Sequence, residues 1–164
     1  MKEDQHSDKS TEVVTEKTNW VIDHLNLIGP VIMIVSLFFG NFLKSSIVLS
    51  GNSGVYHGYQ YVFDGEQKIA LLLLICPIVA LLASSIGKSS EKFIRLAMPI
   101  LAIIAFFMLK HAQSTLGMGE LGISAKIAIG GGIYLLGVVI SLIGAGADYF
   151  GVDLHQKINQ ITKR

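Results

Sequence analysis

Four apolar blocks decide what this chain can fold into. Residues 27–43, 69–86, 93–109 and 123–146 hold almost none of the 25 charged residues, 13 basic and 12 acidic, which gather instead in the tails and connections. A soluble helical protein spreads charge along the outer face of every helix. Each block reaches the length that crosses a bilayer, about 17–25 residues, and none carries a charge at mid-span. The expected fold is an all-α membrane protein, a bundle of four transmembrane helices, with room for a short β-hairpin in the first extracytoplasmic loop.

The fourth block adds a packing surface. Steps of three and four from Gly130 pass through Tyr134, Gly137, Ser141 and Gly144 to Asp148, so one helical face is nearly bare and ends in a carboxylate. In lipid, close backbone approach through small residues is a main source of helix pairing energy. Gly130, Gly137, Ser141 and Gly144 are therefore the expected helix-packing interface, inside the bundle or against another subunit.

Composition narrows the partners. With 51% hydrophobic residues and a mean hydropathy of +0.57, the lipid bilayer is the first of them. A net charge of +1, with no dense basic run, argues against nucleic acid. The single cysteine, Cys76, permits no intrachain disulfide and no zinc site of usual Cys/His spacing. His57 with Asp64 and Glu66 offers one histidine without repeated ligand spacing. No metal and no cofactor is expected. The Gly130–Gly132 run lacks the strand before it and the Lys-Ser/Thr after it that a phosphate loop needs.

In chain order, residues 1–19 form a polar tail, 20–150 the four-span domain and 151–164 an amphipathic tail. The loop at 44–68 reads as two strands, 46–50 and 55–63, around a Gly51–Gly54 turn. Its rings Tyr56, Tyr59, Tyr61 and Phe63 make a partner-facing surface. Pro77 lies well inside the second block, which predicts a helix kink and a freed carbonyl near Leu73. Residues 87–92 are a short connection, so the second and third spans run antiparallel. Both tails carry helical stripes suited to the membrane surface, Val13 to Leu25 and Leu154 to Ile161. Nine of the 13 basic residues fall in the two tails and the 87–95 region. By the positive-inside bias both termini face the cytoplasm, and a bacterial cytoplasmic membrane is the expected location.

Four spans with a longer first outer loop resemble the layout of claudin-type tetraspan proteins. Residues 44–68 have neither the Trp nor the Cys of that family's loop. Small multidrug transporters also have four spans but carry a glutamate in the first, where residues 27–43 have no acid. No family is assigned.

Function is expected to be non-enzymatic. The leading reading is association, as a small accessory subunit of a membrane complex or a self-associating scaffold, with another membrane protein or a second copy as partner. The alternative is a small transporter or channel with Asp148 as an ion-coupling group at the pathway mouth. A third is a membrane enzyme acting on lipid, which needs Asp23, His24, Asp148, Asp153 and His155 to gather at one leaflet.

Overall fold

The computed structural model describes residues 21, 24–47, 53–64, 68–115 and 123–152. The first helix, α1, covers Leu25–Phe38, and the carbonyl of His24 caps it by accepting from the N–H groups of Leu27 and Ile28, both at 2.9 Å. It ends five residues before the expected boundary. Phe39 turns to extended backbone and Gly40 takes φ +81°, a left-handed conformation natural to glycine. The chain then runs on as strand β1, Asn41–Ile47.

β1 is the middle of a three-stranded antiparallel sheet. On one side it pairs with β2, Ser53–His57, and on the other with β3, Ile123–Ile127. The expected strand over 55–63 stops at His57, where α2, Gly58–Phe63, begins. The backbone N–H of His57 donates to Gln60 Oε1 at 2.8 Å, a local helix-start bond that diverts the tyrosine-rich stretch from the sheet. β3 occupies residues expected to open the fourth span. The ISAKI stretch finds a free edge on β1, and the N–H of Ala128 then donates to the Phe42 carbonyl before the last helix starts.

A 3₁₀ turn, Lys68–Leu71, leads into α3, Leu72–Ile86. α4, Lys88–Thr115, follows after Gly87 alone, whose φ of +137° allows the reversal. α5 covers Ile129–Phe150 and closes on Gly151 in the left-handed region. Residues Lys68–Ile86, Ser90–Ser114 and Ile129–Phe150 make three helices long and apolar enough to cross a membrane, which makes this an integral membrane protein. α1 is apolar but, at 14 residues, shorter than that. The two amphipathic tail stripes lie outside the described residues, save Val21, His24 and Leu25.

The helices alternate in direction. α1 packs along α5 and on α3, and α4 packs on α3 and α5, which leaves α3 and α5 on one diagonal. One end of the bundle gathers the start of α1, the end of α3, the start of α4 and the end of α5. The other end carries the sheet and α2. The core between them centres on Met33, Leu37, Phe42, Leu73, Ala102, Phe106, Tyr134 and Val138, all buried.

Candidate functional site

The charged end of the bundle is assembled by one glycine. A Cβ built on Gly144 would lie 2.5 Å from Asn26 Oδ1 and 2.9 Å from Asn26 N, so only a bare α-carbon lets the start of α1 reach α5 there. One turn later α5 presents Asp148, and Asn26 Nδ2 donates to its Oδ2. From α4, Arg95 Nη1 stands 4.0 Å from the same oxygen, while Arg95 Nη2 pairs with Glu91 Oε1 at 2.8 Å one turn back. Three helices thus bring an amide, a guanidinium and two carboxylates together.

This network is graded in exposure. The Asp148 side chain is 50% exposed, whereas Arg95 and Glu91 are 17% and 25% exposed. Because water screens Asp148, its pairing with Arg95 adds little to stability. Its inner atoms are less well served. Among the described residues, Asn26 Oδ1 and Arg95 Nε are shielded from solvent with no hydrogen-bond partner. The backbone is loosened at the same two residues. Pro30 and Pro99 lie inside α1 and α4, four residues after Asn26 and Arg95, so neither carbonyl receives its helical N–H. α1 and α4 each have a missing rung where their polar side chain sits, which favours bending there.

Toward the sheet end the bundle axis is filled by rings. Phe42 from β1 meets Phe106 of α4 edge-on at 5.4 Å and Tyr134 of α5 at 5.5 Å, and the last two stack at 6.0 Å. Tyr134 Oη crosses the diagonal to donate to the Leu73 carbonyl at 2.8 Å. That carbonyl is the one Pro77 cannot serve, since Pro77 has no N–H to give. The phenol therefore supplies the missing donor from another helix.

The small-residue face of α5 looks toward α1 and β1. A Cβ on Gly130 would stand 2.9 Å from the Asn41 carbonyl oxygen, and one on Gly137 would stand 2.9 Å from that of Gly29. Ser141 is buried, and Gly29 reciprocates by leaving room for the Ser141 backbone, 2.5 Å from where its own Cβ would be. The loop rings divide. Tyr56, Tyr59 and Phe63 are exposed, whereas Tyr61 is buried against Phe42 and Tyr56. Burial, with a smaller contribution from Tyr56, pushes the Tyr61 phenol up to about 12, and its hydroxyl has no partner among the described residues. His57 Nδ1 sits 3.0 Å from the Gly40 carbonyl oxygen and its ring stacks on Tyr59, while Glu66 lies outside the described residues. So do Asp23, Asp153 and His155, which the lipid-enzyme reading requires.

Asn26, the Arg95–Asp148 pairing, Phe42 and the Tyr134 hydroxyl were not singled out from sequence. Asn26 and Arg95 carried a usable signal, since each is a polar residue four positions before a proline in an apolar helix. Phe42 carried none, because its role depends on a strand that begins where a span was expected. No protein-family model, curated protein or solved structure matches this chain.

Proposed function

We propose that this protein is a small membrane transporter or channel for protons or small cations, with the Asn26–Asp148–Arg95–Glu91 network at the mouth of its path. The observation that carries the reading is the convergence of these groups, two with unserved polar atoms, on one end of an otherwise apolar bundle. Ionisable groups inside spanning segments are costly and are characteristic of ion pathways. Asp148 is the group an entering cation meets, because it is half exposed and, among the described residues, is bound by Asn26 and, at longer range, Arg95. Glu91 holds Arg95 back from a full ion pair with Asp148, which leaves the carboxylate exchangeable. Phe42, Phe106 and Tyr134 form the closed barrier behind the mouth, and Pro30 and Pro99 are where the helices bend to open it.

α1 acts as the fourth span in this reading. Its 14 residues rise ~21 Å, and residues 39–42, bent at Gly40, carry the chain on to the level at which the ~33 Å of the 22 residues of α5 begins. Contacts at both levels support the match: Asn26 meets Gly144, and the Phe39 and Asn41 carbonyls meet Gly130. With both termini cytoplasmic, the mouth opens inward.

Association is supported by less. The bare face of α5 is already covered by α1, which leaves the exposed Tyr56, Tyr59 and Phe63 as the surface for a protein partner. Reconstitution into proteoliposomes, with sodium and proton flux read by fluorescent indicators, tests the proposal. Wild type should conduct above empty vesicles, and Asp148→Asn should lower the flux about 10-fold or more. Flux equal to that of empty vesicles would remove the transport reading.

A further inference from the structure

Lys44 on β1 and Lys126 on β3 are direct cross-strand partners, so both side chains leave the same face of the sheet, and both are exposed. Like charges directly opposite each other in a sheet repel. Among the described residues no carboxylate lies within 4.0 Å of either ammonium, and the third strand of the row contributes Val55. The sheet therefore presents a paired positive charge that the described residues leave unanswered.

Its position says what answers it. Lys126 is three residues before Ile129, the first residue of a spanning helix, so it lies within about 10 Å of where that helix begins. The headgroup layer on each side of a bilayer's hydrocarbon core is roughly 5–8 Å deep. Around the same end, Phe39 is 70% exposed, Phe63 63% and Ile129 78%, and Tyr59 stacks on the exposed Phe38 at 6.4 Å. These groups continue the apolar, lipid-facing surface of the helices up to the sheet. Aromatic rings are enriched where acyl chains give way to headgroups.

We infer that the sheet and α2 form a cap lying on the membrane, in which Lys44 and Lys126 together hold the phosphate of an anionic lipid headgroup while Phe39, Phe63 and Tyr59 sit at the acyl boundary. This inference does not depend on transport. It gives the exposed rings a lipid role in place of a protein partner. It also explains why a like-charged pair is tolerated at the centre of the sheet, since the phosphodiester supplies the missing counter-charge.

Native mass spectrometry of the full chain in mild detergent, titrated with phosphatidylglycerol or with phosphatidylcholine of the same acyl chains, tests it. Wild type should retain phosphatidylglycerol at concentrations where phosphatidylcholine is lost. Lys44→Gln with Lys126→Gln should weaken phosphatidylglycerol retention by about 30-fold, following the attraction expected for two lysines at an anionic surface, and leave phosphatidylcholine unchanged. The Lys44→Arg, Lys126→Arg pair should keep the preference, as should Lys92→Gln at the opposite end. A preference that survives the double glutamine variant, or that falls equally with Lys92→Gln, overturns the inference. So does a bound polypeptide or second copy in place of lipid.

Discussion

The two ends of this bundle are closed by opposite means. At the sheet end, Phe42, Phe106 and Tyr134 fill the axis, and the one backbone group that Pro77 strands, the Leu73 carbonyl, receives a hydrogen bond from Tyr134. At the charged end, Pro30 and Pro99 withhold the helical N–H from the carbonyls of Asn26 and Arg95, and among the described residues Asn26 Oδ1 and Arg95 Nε have no hydrogen-bond partner. The same sequence device, a proline inside an apolar helix, is compensated from another helix at Leu73, whereas among the described residues no other helix supplies a donor to the Asn26 or Arg95 carbonyl. In the transport reading proposed above, the compensated proline belongs to the closed barrier, and the two beside the polar network belong to the region that rearranges.

The barrier should be the more sensitive to mutation. Phe42→Ala removes a fully buried ring that touches three others, and should cost about 3 kcal/mol or more, read from denaturant or thermal unfolding in detergent. A loss below about 1 kcal/mol would mean that the rings are not the keystone of that end. Gly137→Leu should come next, at about 3 kcal/mol, because its Cβ would press on the Gly29 backbone and on Met33. Gly132→Leu on the same helix meets open space and should change stability by less than about 0.5 kcal/mol. Similar effects at both glycines would separate α1 from the α5 face.

Tyr61 and Tyr134 sharpen the comparison within the sheet end. The Tyr61 phenol is raised from 10.0 to about 12 in the folded protein, chiefly by burial. The unfolded chain therefore loses this proton first, so stability is complete below pH 10 and falls as pH rises toward 12. Wild type should lose up to roughly 2 kcal/mol across that window relative to Tyr61→Phe, measured by unfolding at matched pH. At neutral pH the two should be nearly equal, since the Tyr61 hydroxyl makes no bond to a described residue. Tyr134→Phe, which leaves the Leu73 carbonyl bare, should cost about 1 kcal/mol at neutral pH. Equal costs for the two phenylalanine variants would deny the Leu73 bond any special role.

Much of this architecture was readable because apolar length and charge partition are written locally. The three long spans, the antiparallel α3–α4 turn at Gly87 and the small-residue face of α5 all follow from spacing along one segment. The boundaries followed less well, for reasons in particular residues. Residues 39–43 carry no charge and three large apolar side chains, but Gly40 turns the chain and β2 offers β1 a partner. Ile123–Ile127 continues the hydrophobicity of α5, yet its backbone is claimed by the other edge of β1. The β1–β3 pairing joins residues some 80 positions apart, and no window of sequence contains it. Asp148 was visible as the end of a stripe; its partners Asn26 and Arg95 were not, because each reaches it from a different helix.

The most direct test sets one substitution at each end against the other in the same flux assay. Proteoliposomes carrying wild type, Asp148→Asn or Tyr134→Phe at equal protein density are compared for sodium and proton movement. A polar mouth in front of an aromatic barrier predicts opposite signs: lower flux with Asp148→Asn and higher flux with Tyr134→Phe. Three identical traces, indistinguishable from empty vesicles, would contradict the account.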